Sequence, residues 1–485
     1  MGSYFFLQVF VVVFALSIAT TIFNKRILNL PPAIGVPIVS AVSVFVLQWA
    51  TGLLNGNEYF HINIDLIRET VRSIDFYDFL INGVICFILT ASALTFKASD
   101  LKRHWKPIGI LASLSLVTCA FLFGVIMFGF QYMIGDPVPL VILLLLGSAL
   151  GATDPIGVKG VLASVRAPHH LMVKLEGESL FNDAMCIAVF MTILNIVKGG
   201  SFTFIGVVET LLFEVLVASI IGYASGRFAL TLLKGRHDKE TLILITALLA
   251  AGSYLIALYA HASAPIACVI AGLVVGNKWQ EYIQQEEIKE VNHFWHTIEG
   301  IINAFLFTLI GLELFILDLD LMLVACGVFA FFILHISRFI ANFFTFRLFP
   351  SVWKNSMNGS LTILSWGGVR GGISLALVLA VLNVPALEPY GSLILGYTFI
   401  SVLLSGVVCG LGLPSVMNAF YHNQFEPKEG FAGWYQRMCN KMNRKGFKYN
   451  VASSATGEEH ISIYDPNTFN RTTISSNEKI EENKF

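Results

Sequence analysis

The chain has 485 residues, of which 55% are hydrophobic and only 13% are charged, and its formal net charge is −1. Soluble domains carry about a quarter charged residues, so the composition excludes an ordinary soluble protein. Forty Phe and forty Gly point the same way, since Gly is more frequent in membrane helices than in soluble ones. We therefore expect a polytopic, all-α membrane protein with no nucleic-acid partner.

A helix needs about 20 apolar residues to cross the hydrocarbon core of a bilayer. Thirteen such runs occur in the chain, at residues 4–23, 31–54, 76–96, 107–134, 138–165, 171–197, 203–233, 241–259, 262–277, 292–316, 320–346, 357–382 and 392–421. The seven Cys are scattered and lie mostly inside these runs, which favours small apolar side chains over disulfides or a metal cofactor.

The distribution of Lys and Arg predicts the orientation of these spans. With the N-terminus outside, seventeen of the 31 basic residues lie in or beside the inner loops and only three, Arg68, Arg72 and Lys198, lie in outer loops. Inner loops of membrane proteins carry this excess of positive charge. The sequence therefore predicts a multi-pass protein of the cell membrane with a cytoplasmic C-terminus.

The composition changes after the last span, so three regions are predicted. Residues 1–421 form the transmembrane domain, residues 422–450 form a basic juxtamembrane segment, and residues 451–485 form a cytoplasmic tail. The tail is rich in Ser, Thr, Asn and Glu, and we expect it to be disordered because it has little apolar surface to bury.

The fifth span carries an acidic residue next to a helix-breaking sequence. Asp154 lies between Gly151 and Gly157 and directly precedes Pro155. Proline removes a backbone donor, and irregular backbone at membrane depth survives only beside protein or a water-filled cavity. We expect this helix to break and to free carbonyls such as that of Thr153.

The sixth span carries two polar stripes. Ser179 and Asp183 are four residues apart and share one helix face, while Glu178 and Asn182 share the adjacent stripe. The first pair suits an oxygen-rich cation site. Glu178 points elsewhere and needs a positive partner, because charges inside a bilayer are costly unless paired.

The twelfth span supplies a candidate partner, since Arg370 lies among four glycines at mid-membrane. We predict a Glu178–Arg370 ion pair and, as a second and structural pair, Glu299–Arg338. The fifth and twelfth spans both look broken and lie seven helices apart, so they cross the membrane in opposite directions. Two broken crossing helices in inverted repeats are typical of secondary transporters.

These motifs resemble the cation:proton antiporters, specifically their electroneutral sodium/proton exchanger branch. The resemblance rests on Thr153–Pro155, on Glu178–Asp183 and on Gly367–Gly372, in this order on thirteen spans, with a further similar segment at Asn303–Gly311. It covers roughly residues 1–421.

The resemblance implies a role for each matching residue. Asp183 would bind either Na⁺ or a proton, Asp154 would shape the site at the broken helix, and the Thr153 carbonyl and Ser179 would be further Na⁺ ligands. It also implies that Asn182 shapes the site, that Glu178 and Arg370 form a structural pair, and that the protein is a homodimer. No cofactor is expected besides the transported ions.

The expected function is therefore one-for-one exchange of Na⁺ or Li⁺ for a proton at a single buried carboxylate, with alternating access and no enzymatic activity. Potassium/proton exchange at the same residues is the alternative among transporters. A cation channel would need a continuous polar lining, whereas the polar residues cluster here. An intramembrane aspartyl protease could use Asp154 and Asp183, but Pro155, Asn182 and Arg370 have no place in that chemistry.

Overall fold

The computed structural model of the protein describes two compact units, Met1–Glu426 and Pro427–Phe485. The described residues are 5–54, 83–154, 157–158, 168–200, 203–235, 238–312, 320–353, 359–379, 381, 384–420, 448–453, 459–464 and 471–475.

Within the described part of the first unit, every regular element is helical. Its α-helices are α1 (Phe5–Phe23), α2 (Pro32–Leu54), α3 (Ile85–Thr95), α4 (Ala98–Ile110), α5 (Leu116–Ile134), α6 (Leu140–Ala149), α7 (His169–Val197), α8 (Phe204–Leu232), α9 (Lys239–Tyr259), α10 (Ala264–Gly276), α11 (Gln285–Leu312), α12 (Leu321–Leu348), α13 (Pro350–Trp353), α14 (Ser360–Trp366), α15 (Gly372–Leu379), α16 (Gly391–Leu404) and α17 (Leu411–Phe420). Three π-helical segments, Asn24–Leu28, Leu111–Ser115 and Ser405–Gly410, and two 3₁₀ turns, Trp279–Glu281 and Glu388–Tyr390, complete the set.

Each of the thirteen predicted spans contains at least one of these helices, so the all-α, polytopic prediction is confirmed. Seven described helical segments are long and apolar enough to cross a bilayer on their own: Val11–Leu28, Ser99–Ile134, His169–Val197, Ile205–Leu232, Lys239–Tyr259, Leu321–Leu348 and Glu388–Phe420. Others are shorter because the backbone is interrupted, as between α14 and α15. The N-outside orientation stays a prediction.

The helices pack in two bundles. We define the first bundle as α5, α6, α7, α12, α14, α15 and α16, which pack on one another through pairs such as α5 with α6 and α12 with α16. The second bundle comprises α1, α2, α3, α8, α9, α10 and α11, held by pairs such as α8 with α10 and α2 with α11. The bundles meet where α7 packs against α10 and α15 against α11.

Short-range sequence signals set the start of two long helices. Asp238 caps α9 by accepting a hydrogen bond from the Thr241 amide at 3.0 Å, and Asp320 caps α12 in the same way through the Leu323 amide at 2.5 Å. Such caps satisfy amides that have no partner inside the helix. They fix the residues at which α9 and α12 begin.

The second unit contains a small antiparallel sheet of β1 (Lys448–Ser453), β2 (Glu459–Tyr464) and β3 (Arg471–Ser475), in the order β1-β2-β3. The prediction of disorder from residue 451 onward does not match these strands. Their register places Val451 opposite Ile461 and Ile461 opposite Ile474, so β-branched residues of three short segments fall on one line across the sheet. Residues 421–447, which hold most of the predicted juxtamembrane segment, lie outside the described residues.

Candidate functional site

The fifth predicted span breaks as expected. Helix α6 ends at Ala149, and residues 152–154 are neither helical nor extended in a sheet. The backbone carbonyls of this segment therefore lose their helical partners and need others at membrane depth. Thr153 and Asp154 are both buried, at 1% and 9% exposure. Pro155 lies outside the described residues.

The twelfth predicted span breaks as well, and the two breaks meet. Helix α14 ends at Trp366 and α15 begins at Gly372, with no regular structure from Gly368 to Gly371. The Asp154 amide donates to the Val369 carbonyl at 2.7 Å, which joins the two irregular segments. A Cβ on Gly371 would lie 2.7 Å from Cβ of Asp154, so only glycine permits this approach.

Helix α7 presents its polar residues to this crossing. The hydroxyls of Ser179 and Thr153 lie 3.1 Å apart, and Nδ2 of Asn182 donates to the Gly151 carbonyl and to the Thr153 hydroxyl, both at 3.1 Å. All of these side chains are buried. Asn182 thus holds the backbone of the first break, and its site-shaping role stays a prediction. Its own Oδ1 has no hydrogen-bond partner among the described residues.

A cavity with about 530 Å³ not filled by atoms lies in front of the crossing. Asp183 and Asp154 both line it, together with Thr153. The described residues contain two ion pairs, His169–Asp100 and Arg338–Glu178, and neither involves Asp183. Three of the four predicted cation-binding residues therefore line one cavity, and the fourth, Ser179, contacts Thr153. Asp183 is 5% exposed and forms no ion pair with another described residue.

Arg370 does not pair with Glu178, so this prediction was wrong. Its Nη1 donates to the carbonyls of Gly151 and Ala152 at 2.5 and 3.1 Å, and its backbone amide donates to the Ser405 hydroxyl at 2.9 Å. The broken helix frees carbonyl groups close to Arg370, and these attract the guanidinium. Arg370 thus stabilises the crossing itself.

Glu178 pairs instead with Arg338, which the sequence analysis had assigned to Glu299. Nη2 of Arg338 lies 2.5 Å from Oε1 of Glu178 and also donates to the Leu364 carbonyl at 3.2 Å. A Cβ on Gly368 would lie 2.5 Å from Nε of Arg338, so the glycine lets the arginine pass the second break. Both charges are buried, at 1% and 5% exposure, and a pair of this kind avoids an uncompensated buried charge.

Glu299 has no contact with Arg338 of the kind predicted. It lies on α11, where its Oε1 accepts a hydrogen bond from the Ser92 hydroxyl of α3 at 2.9 Å, and it lines the same cavity as Asp183. Asn303, one turn further along α11, lines that cavity too. The signal for this position was the adjacent segment Asn303–Gly311, which the sequence analysis noted without assigning a role.

An uncharged network behind the site was missed from the sequence. Ser115 donates to Oδ1 of Asn342 at 2.5 Å, and Nδ2 of Asn342 donates to the Ser365 hydroxyl at 2.9 Å, which links the segment before α5, α12 and α14. All three side chains are buried. These side chains are neither charged nor prolines, so the sequence features that indicated the other site residues did not indicate them.

The donor set around the cavity is made of oxygen atoms. Two carboxylates and two hydroxyls, from Asp183, Asp154, Thr153 and Ser179, suit hard monovalent cations rather than transition metals. Among the described residues, no group of three or more His, Cys, Asp or Glu side chains is placed to hold a metal ion. The described oxygen donors therefore have the chemistry of a site for a hard monovalent cation.

Comparison with known proteins gives a consistent result. The sequence model of the transmembrane sodium/hydrogen exchanger family matches residues 4–418. The chain is 33% identical to the Na⁺/H⁺ antiporter NhaP of Pseudomonas aeruginosa, over 86% of this chain and 97% of that protein. It is 28% identical to the Na⁺/H⁺ antiporter NhaG of Bacillus atrophaeus, over 74% of this chain and 67% of that protein.

The fold is also similar to that of a solved structure. The sodium proton antiporter MjNhaP1 from Methanocaldococcus jannaschii aligns with a TM-score of 0.64 at 17% sequence identity, over 86% of this chain and 99% of that one.

Proposed function

The chain belongs to the transmembrane sodium/hydrogen exchanger family, and on that premise we propose that it exchanges Na⁺ or Li⁺ for protons across a cell membrane. The observation that carries the proposal is the buried carboxylate of Asp183, which lines a cavity beside the crossing of two broken helices and takes part in neither described ion pair. A carboxylate in this position has two possible partners, a cation from the cavity or a proton.

The two arginines near the site bind other groups. Arg338 is engaged by Glu178, and Arg370 holds the carbonyls of the first break. Since neither arginine neutralises Asp183 directly, its negative charge is available for a cation. Asp154 supplies a second carboxylate beside the crossing, and its backbone amide is fixed by the Val369 carbonyl, which keeps it in place.

The mechanism follows from charge counting. Deprotonated Asp183 attracts one Na⁺, whose remaining ligands are the Ser179 hydroxyl and the backbone oxygen of Thr153. Protonated Asp183 has no charge to offer the cation, so the two substrates compete for one group. Asp183 binds one positive charge in either case, as Na⁺ or as a proton. Exchange is therefore one for one and does not respond to membrane potential.

Alternating access needs a route to each membrane surface with a barrier between them. Phe307 is shared by two cavities: the one with Asp183, and a second, of about 240 Å³, lined by Ala33, Ile34 and Arg370. Phe307 lines both and is 2% exposed. We assign the barrier to this side chain, and the change of access to movement of the first bundle along the second.

The surroundings suit a bilayer and a dimer. Helix α8 exposes Leu212, Leu216, Ile220 and Tyr223, which recur at helical spacing along one face. Such a face suits acyl chains or a second copy of the chain. A homodimer in the cell membrane with its C-terminus in the cytoplasm is part of the proposal.

The test uses purified protein in proteoliposomes that carry a pH gradient and a trapped pH dye. Addition of Na⁺ or Li⁺, each with chloride as counter-ion, dissipates the gradient, and choline does not. The rate is the same with and without an imposed membrane potential. Equal rates with K⁺ support the potassium/proton alternative, and a rate proportional to the imposed potential contradicts one-for-one exchange.

A further inference from the structure

The cavity in front of Asp183 has acidic residues on both of its walls. Asp183 and Asp154 belong to the first bundle, and Glu299 belongs to α11 of the second bundle. The other lining residues that the structure describes are uncharged, and no Lys, Arg or His is among them: Ile88, Leu89, Ser92, Ala152, Thr153, Leu180, Asn303, Leu306, Phe307, Gly371, Gly372 and Ile373. The described lining of the cavity therefore has one sign of charge and is mostly apolar.

Glu299 is held in a defined place. Its Oε1 accepts a hydrogen bond from the Ser92 hydroxyl at 2.9 Å, so α3 orients the carboxyl group of a residue on α11. Nδ2 of Asn303 donates to the Glu299 backbone carbonyl at 2.7 Å, which ties the next turn of α11 to the same position. The side chain is only partly buried, so it remains accessible from the cavity.

We propose that Glu299 is an affinity-determining residue, which draws the cation into the cavity from the second bundle before Asp183 binds it. A cavity lined by one sign of charge and by low-dielectric walls focuses the field and raises the local concentration of counter-ions. Glu299 acts through this field and is not a ligand of the cation at Asp183. The inference rests on the proposed exchange function.

The geometry explains why this carboxylate lies on α11. Because α11 packs against α1 and α2, it stays with the second bundle when the first bundle moves. Glu299 thus faces the site in the arrangement described here and separates from it in another. The charge of Glu299 favours cation entry when α11 faces the site. It does not strengthen cation binding at Asp183 in the other arrangement, from which the cation must be released.

The experiment compares E299Q with wild type in proteoliposomes, measuring the Na⁺ concentration that gives half-maximal exchange and the maximal rate. E299Q raises the half-maximal concentration by about three- to tenfold, as expected for the loss of one nearby charge, and leaves the maximal rate within about twofold. E290Q, on the exposed face of the same helix, is the matched control and behaves as wild type. E299D preserves the charge, and its half-maximal Na⁺ concentration lies near that of wild type.

Two further measurements separate charge from packing. S92A removes the hydrogen bond to Glu299 but keeps the charge, so it raises the half-maximal concentration less than E299Q does. The difference between E299Q and wild type shrinks when the ionic strength is raised with choline chloride, because added salt screens a field effect.

Three results would overturn the inference: an unchanged half-maximal concentration in E299Q, an equal increase in E290Q, or an increase in S92A as large as that in E299Q. These outcomes are distinct from failure of the proposed function, in which wild type itself shows no cation-coupled proton movement.

Discussion

Arg338 donates from Nη2 to Oε1 of Glu178 over 2.5 Å, although 160 residues separate them in the chain. The pair joins α7, which carries Asp183, to α12, and the same guanidinium donates to the Leu364 carbonyl of α14. One buried ion pair thus ties together three helices of the first bundle. Its loss leaves a charge with no solvent to receive it.

We expect R338M to lose about 3–5 kcal/mol of stability, because it leaves Glu178 charged and without its partner. The measurement is the Tm in detergent, together with the yield of monodisperse protein. The double variant E178Q/R338M recovers much of the loss, since no charge is stranded. R227M, on the exposed face of α8, is the control, and a Tm for R338M equal to that of R227M would show that the pair carries no stability.

R370M also destabilises the protein, but for a different reason. The Ala152 carbonyl loses its donor, which costs about 1–3 kcal/mol for a buried acceptor left without a hydrogen bond, and the Gly151 carbonyl keeps only the hydrogen bond from Asn182. Because Arg370 is not the partner of Glu178, E178Q rescues R370M less than it rescues R338M. A double-mutant cycle on Tm values measures both couplings. A larger coupling energy for Glu178 with Arg370 than for Glu178 with Arg338 would contradict this account and support the pair predicted from the sequence.

G371A disturbs the crossing at its tightest point. The added methyl group would lie 2.7 Å from Cβ of Asp154, so one of the two irregular segments must shift. We expect the exchange rate to fall by about tenfold or more, because a small displacement of a binding group is enough to lose function. G300A is a suitable control, since a Cβ there meets no atom within 4 Å. Equal rates for the two variants would contradict a tight crossing.

F307A removes a side chain that lines both cavities, and on the proposed assignment of the barrier it opens a path between them. We expect a proton leak without Na⁺, which is measured as decay of an imposed pH gradient in choline buffer. I301A, an exposed position on the same helix, leaves the liposomes as tight as wild type. If F307A is equally tight and still exchanges Na⁺ for protons, the barrier lies elsewhere. The Tm of F307A shows whether the protein is folded, because removal of a buried Phe costs about 3–5 kcal/mol.

Much of the fold could be predicted because the bilayer constrains it. Long apolar runs must be helical where no water is present to satisfy the backbone, and the glycines beside Asp154 and Arg370 marked the two breaks correctly. Helix periodicity also placed Ser179 and Asp183 on one face of α7; Asp183 lines the cavity with Thr153, whose hydroxyl lies 3.1 Å from that of Ser179. Local rules suffice for features that depend on one helix.

The ion pairs could not be predicted in the same way. Arg338 and Arg370 both lie in the first bundle, and either could pair with Glu178. The depth of a residue along its span does not say which helix lies beside α7. The deciding factor is the break itself, whose carbonyls at Gly151 and Ala152 attract Arg370 and leave Arg338 for Glu178. A count of charged residues ignores backbone hydrogen-bond acceptors, so it predicted the wrong arginine as the partner of Glu178. For the same reason it assigned Arg338 to Glu299, which instead accepts a hydrogen bond from Ser92.

The central claim is that Asp183 takes up Na⁺ and a proton in turn, and proton release on Na⁺ binding tests it most directly. Purified protein is placed in lightly buffered detergent solution with a pH dye, at a pH at which Na⁺ and protons compete in the wild type, and saturating Na⁺ is added. We predict release of up to about one proton per protomer from wild type and none from D183N. Equal proton release from D183N, with Na⁺ binding intact, would contradict the account.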